Sequence, residues 1–156
     1  MEPRILLTGD IGGRLLDRLE RRGESVRCLA QEPAHLVSRC ARQTEVVAGD
    51  VVSGEGLEPA LRGIDTAYYL EHSMGAAEDR TGADHFAAAA RAAGSRRSVD
   101  LGGLAYEDAR LSPRLRSLLD IGKVLRALLG WYGTYPLHAL VSRGMVGGIA
   151  RAASAA

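Results

Sequence analysis

The sequence predicts an α/β protein: a doubly wound parallel sheet in a three-layer α/β/α sandwich, built as one compact domain over residues 1–142 with a Gly/Ala-rich tail over 143–156. Three observations predict it. Short apolar runs alternate with amphipathic helical stretches along the chain, the pattern of repeated βαβ units. The apolar runs are nearly continuous, as strands are when helices cover both faces of a sheet. Helical stretches stop on glycine, at Gly23 and Gly94, where a left-handed turn releases the chain.

The elements follow in order. Residues 4–8 (RILLT) read as a strand, and residues 12–22 as a helix whose Leu15, Leu16 and Leu19 share one face with charges opposite. Residues 25–30 (SVRCLA) form a second strand, and residues 33–42 a short helix opened by Pro33. Residues 44–51 form a third strand ending in Gly-Asp, and residues 54–63 a helix of about two turns around Pro59. Residues 64–73 form a fourth strand, and the alanine-rich residues 83–94 a helix. Residues 96–104 form a fifth strand. Residues 112–130 form a helix with Ser112 as its cap, Pro113 next, and an apolar stripe through Leu115, Leu118, Leu119, Val124, Leu125 and Leu128. A sixth strand is expected over residues 135–142. Right-handed crossovers then imply the strand order 3-2-1-4-5-6, a Rossmann-like sheet.

Composition narrows the function classes. Twenty Lys+Arg balance 19 Asp+Glu, which removes the electrostatic case for nucleic acid or an anionic membrane. Aromatic residues are 4% of the chain, so Leu, Val, Ile and Ala must build the core. The Ala/Arg/Gly bias, with Lys123 the sole lysine, fits a bacterial origin. Cys28 falls in a strand and is expected as a buried free thiol; Cys40 closes a helical run. No Cys/His spacing points to a metal. Neither a leader nor a membrane-length apolar run is evident, so a cytoplasmic protein is expected.

In such a sheet the ligand lies at the carboxyl ends of the strands, where the strand order reverses. That rule selects Thr8 to Gly13, Ala30 to Glu32, Gly49 to Val51, Glu71 to Gly75 and Gly102 to Ala105. Glycines there let backbone approach a ligand, and the N-terminus of helix 12–22 offers free N–H groups and the positive dipole end to phosphate. The same glycines also serve as tight turns. As a set in register with the strand ends they favour a nucleotide site.

Six stretches, RILLTG…IGGRLL, VRCLA…P, VVAGDV, LRGIDTAYYLEHSMG, FAAAARAAG and LGGL…LSPRLRS, carry a further resemblance. Together they resemble the NAD(P)-binding domain of atypical short-chain dehydrogenases/reductases, nearest the NmrA-like and sugar-nucleotide-epimerase-like members. The resemblance runs in order from residue 3 to about residue 130. It implies that Gly9, Asp10, Ile11, Gly12 and Gly13 form the phosphate loop, and that Asp50 and Val51 border the adenine. His72 and Ser73 would lie along the cofactor, with Gly102 and Gly103 next to the nicotinamide.

The departures are specific. About three residues are missing between Gly9 and Gly12 relative to the family loop, and with them the central glycine. After the second strand, where the family often places an Arg for a 2′-phosphate, stand Gln31 and Glu32. Glu32 suits a ribose hydroxyl, which favours NAD over NADP; it equally suits an exposed helix start before Pro33. No Tyr lies four residues before Lys123, where Leu119 stands, so the family's Tyr/Lys reductase pair is absent and Lys123 is expected on a helix surface. Tyr106, Tyr132 and Tyr135 lack that relation too. The helix after the fourth strand looks shorter than in the family, and the substrate region that follows the sixth strand in relatives is almost absent. A pocket would then need a partner subunit, and a homodimer is expected. His35, His85 and His138 read as surface or packed residues. Asp100 is unusual inside a strand and needs exposure or a local partner such as an Arg.

Three functional readings follow. The first is an NAD(P)-binding protein with oxidoreductase activity on an unknown small-molecule substrate. The second is a non-catalytic, NmrA-like sensor of cofactor or partners. The third is a non-redox isomerase or cyclase that reuses the fold.

Overall fold

The computed structural model describes residues 4–9, 13–38, 40–70, 75–100 and 112–129. Ten elements alternate in the expected way: β1 (Ile5–Thr8), α1 (Gly13–Arg21), β2 (Val26–Ala30), α2 (Pro33–Val37), β3 (Glu45–Ala48), α3 (Leu57–Leu61), β4 (Thr66–Tyr69), α4 (Ala76–Ala92), β5 (Arg97–Asp100) and α5 (Pro113–Leu129). The sheet has five parallel strands in the order β3-β2-β1-β4-β5. This is the expected order for the first five strands. The sixth strand and the tail fall outside the described residues.

Pleating divides the core between two faces. Leu6, Leu29, Ala67 and Tyr69 point to one face, where α3, α4 and α5 cover them. Leu7, Val26 and Cys28 point to the other, against Leu16 of α1, with Leu36 of α2 packed alongside. With few aromatics, close approach replaces bulk. Ala83, Ala87 and Ala90, all 0% exposed, line the inner face of α4 at helical spacing. They let it settle around Phe86, the largest fully buried side chain, whose ring meets that of Tyr69 at 4.9 Å.

Element boundaries differ from expectation for local reasons. Helix α4 starts at Ala76, seven residues before the expected 83. Glu78 and Asp79 in its first turn suit the positive helix end. Thr81 donates its hydroxyl to the Ala77 carbonyl at 3.0 Å, and Gly82 has a packing reason: a Cβ there would lie 3.0 Å from the Tyr69 hydroxyl and 3.3 Å from Val51. Asp79 is buried and accepts the Ser117 hydroxyl at 2.5 Å, a polar link between α4 and α5. Helix α2 stops at Val37, short of the expected 42. The chain beyond it is held by Glu20 of α1, whose Oε1 accepts the Ala41 N–H at 2.8 Å and the Thr44 hydroxyl at 2.6 Å. Asp100 pairs in register with Tyr69 at the end of β5 and is only partly buried.

Helix α3 has five residues and contains Pro59, too little to stand alone. Arg27 of β2 holds it. Its Nη1 donates to the carbonyls of Pro59 at 3.2 Å, Ala60 at 2.8 Å and Arg62 at 3.0 Å, while its Nε donates to Glu45 of β3 at 2.8 Å. The guanidinium therefore satisfies the open carbonyl end of α3 and meets its negative dipole end. Arg27→Ala is expected to lower stability by about 2 kcal/mol in equilibrium urea unfolding, with Arg27→Lys between the two.

Candidate functional site

At the carboxyl end of the sheet, β1 serves β2 on one side and β4 on the other, and this is where the strand order reverses. Backbone pairing of β1 with β4 runs from Ile5↔Thr66 to Leu7↔Tyr68. Beyond that register the Thr8 side chain takes over. Its hydroxyl donates to the Tyr68 carbonyl at 3.3 Å and accepts the Leu70 N–H at 3.3 Å. Thr8 is 0% exposed, so this one hydroxyl closes both backbone groups. The next residue, Gly9, turns away at φ 79° toward the start of α1 at Gly13.

Beside it, the ends of β2 and β3 are joined by the Gly49 N–H, which donates to the Ala30 carbonyl at 3.0 Å. Gln31 and Glu32 follow β2 and are exposed. Glu32 stands at the start of α2, before Pro33, and pairs with His35 at 3.2 Å. After β3 the chain folds into a tight turn. Asp50 Oδ1 accepts the Val52 N–H at 2.8 Å, the Asp50 N–H donates to Glu55, and the Gly54 N–H donates back to the Asp50 carbonyl. Two glycines make the turn possible: a Cβ on Gly56 would stand 2.3 Å from the Ala48 carbonyl oxygen, and one on Gly49 would stand 2.6 Å from that of Glu55. His85 of α4 donates its Nδ1 proton to the Val52 carbonyl at 3.0 Å and secures the turn from the helix side.

The fold thus gathers Gly9, Gly13, Gln31, Glu32, Asp50 and Val51 at one end of the sheet. Asp50 is half-buried with its carboxylate held in place, while Val51 as a whole is 5% exposed and belongs to the core. Asp10, Ile11, Gly12, His72, Ser73, Gly102 and Gly103 lie outside the described residues, as do Tyr106, Tyr132, Tyr135 and His138. Lys123 is exposed on α5 and pairs with Asp120 at 3.4 Å. Among the described residues, no three His, Cys, Asp or Glu side chains converge on a metal geometry, and no helix is long and apolar enough to cross a membrane.

Sequence reasoning placed Thr8 at the end of the first strand and the start of the ligand-facing segment, without a role for its hydroxyl, and His85 only as a surface or packed residue. The signal for Thr8 was present: a hydroxyl closing an otherwise apolar strand, directly before a glycine. Replacing it tests the seam. Thr8→Val keeps the shape but leaves the buried Leu70 N–H without its acceptor, and is expected to lower unfolding free energy by about 1–3 kcal/mol, whereas Thr8→Ser retains most of it.

Comparison with known proteins fits this arrangement. The NAD(P)H-binding family model matches residues 8–131. No curated protein sequence matches the chain significantly. Among solved structures, Citrobacter sp. triphenylmethane reductase in complex with NADP(H) superposes with a TM-score of 0.70 at 18% identity, covering 80% of this chain and 45% of that one. A Staphylococcus aureus nucleoside-diphosphate-sugar epimerase gives a TM-score of 0.67 at 15% identity, over 81% of this chain and 47% of that one. A Rossmann-fold NAD(P)-binding family protein from Shigella flexneri gives 0.62 at 19% identity, over 81% and 62%. The chain spans about half the length of the first two of these proteins.

Proposed function

The chain belongs to the NAD(P)H-binding family, and from that premise we propose that it is of the atypical short-chain dehydrogenase/reductase, NmrA-like kind and binds a nicotinamide dinucleotide across the carboxyl ends of β1, β2 and β3, with NAD(H) preferred to NADP(H). One observation carries the reading. The strand order reverses at β1, and Gly9, the start of α1, Glu32 and the Asp50 turn all sit at that same end.

The residues fit the group in kind. Gly9, Gly12 and Gly13, with Asp10 and Ile11, would meet the pyrophosphate at the start of α1. Glu32, exposed and negative, would bond a ribose hydroxyl and repel a 2′-phosphate, with Gln31 beside it. Asp50 and Val51 would border the adenine, in a turn held by the Asp50–Val52 bond and by His85. His72, Ser73, Gly102 and Gly103 would line the nicotinamide half. A bound nicotinamide would supply hydride transfer; Leu119 stands four residues before Lys123, where the family's Tyr would be, and Lys123 is paired with Asp120 on the surface. That observation favours a second reading within the first: a protein that binds and senses the cofactor without efficient carbonyl reduction.

Calorimetric titration checks this. NADH is expected to bind weakly, with NADPH weaker still, and Glu32→Arg is expected to shift the preference toward NADPH by about tenfold. Neither heat nor a thermal shift at millimolar NADH and NADPH would end the proposal. Binding with NADPH preferred would retain the site and remove the role of Glu32.

A further inference from the structure

The chain has two cysteines, twelve residues apart in sequence, and the fold brings them together. Cys28 lies on β2 and is 4% exposed. Cys40 follows α2 and is half-buried against the same apolar cluster, between α1, α2 and the sheet. The two side chains pack in that one cluster, near enough for Cys40 to act directly on the Cys28 thiol. This proximity does not depend on a loosely held loop. The Cys40 N–H donates to the Leu36 carbonyl at 3.1 Å, and Glu20 of α1 holds Ala41 and Thr44 on the other side.

We propose that Cys28 and Cys40 are a reversible disulfide site, closed by exchange with a small-molecule disulfide such as oxidised glutathione. Two thiols packed in one cluster need only a local shift to reach the S–S length of about 2.05 Å. Exposure sets the order of events. Cys40 loses its proton and its thiolate attacks one sulfur of the small disulfide. That S–S bond breaks and one glutathione thiolate leaves, taking up a proton. Cys28 then loses its proton and attacks the Cys40 sulfur of the mixed disulfide, and the second glutathione leaves as thiol. Two protein thiols are oxidised by two electrons, and one glutathione disulfide is reduced to two thiols.

The second step is the slow one. Burial, the largest cause, with Cys40 and Glu20 adding to it, pushes the Cys28 thiol up to about 12 in the reduced chain; capping Cys40 removes its share, and burial still keeps the thiolate scarce near neutrality. Below that value each pH unit raises the thiolate fraction about tenfold, and closure of the mixed disulfide should accelerate in proportion. The bond would tie β2 to the segment before β3. It would thereby restrain α2, which Glu32 directly precedes as its N-cap.

The test uses the whole chain, oxidised glutathione, an acid quench, intact mass and a thiol count. The expected product is a monomer lighter by two hydrogens with no free thiol, restored by dithiothreitol and melting roughly 5 °C higher than the reduced protein. Its formation should pass through an adduct heavier by one glutathionyl group, which persists longer at pH 7 than at pH 9. Cys28→Ala should trap that adduct on Cys40. A stable adduct on the unsubstituted chain with the second thiol still free at both pH values would overturn the proposal. So would a covalent dimer as the main product. Both readings come from the unsubstituted protein and do not depend on whether a variant folds.

Discussion

At the end of β1 one strand must satisfy two neighbours that leave in opposite directions. The β2 side continues pairing as far as Thr8↔Leu29, while the β4 side stops at Leu7↔Tyr68. A crevice opens wherever such a divergence occurs, and its walls carry backbone groups that must bond something. Here the Thr8 hydroxyl bonds both Tyr68 and Leu70, so β4 stays attached to β1 up to the point where the site begins. Gly9 can then turn outward without leaving an open seam beneath it. The position of α1, and of every strand end grouped around it, depends on that closure.

Small side chains organise the rest of the molecule. Alanines on α4 and the bare backbone of Gly82 bring this helix close to Tyr69 and Val51. Gly49 and Gly56 let two backbone segments nearly touch after β3. Polar links add to this packing: Ser117 with Asp79 between two helices, Glu20 across to the segment before β3, and Arg27 beneath α3. Each joins elements distant in sequence.

The alternation of elements, the parallel sheet and the order of its first five strands were legible in the sequence, because apolar runs and helical stripes report burial directly. The strand ends were legible for a different reason: Gly9, Gly49 and Asp50 stand where apolar periodicity breaks off. Boundaries were less so. The start of α4 was hidden because Thr81 and Gly82 are poor helix formers taken alone, and only the Ala77 carbonyl and the Tyr69 ring, unseen in sequence, make them fit. The short α2 was hidden for the converse reason. A helical pattern continues past Val37, but Glu20 draws the following backbone into a different path. The roles of Thr8, Arg27 and His85 rest on contacts across 60, 33 and 33 residues, which no local pattern encodes.

The grip of Arg27 changes what kind of element α3 is. A five-residue helix at a protein surface would normally fray on its own, opening and closing independently of the sheet. With its carbonyl end bonded to a side chain rooted in β2, this one cannot open without breaking contacts to a central strand. In the language of local unfolding, α3 has been transferred from the mobile rim to the slow-exchanging interior. Its amides should report the opening of the sheet beneath them and not that of the helix itself.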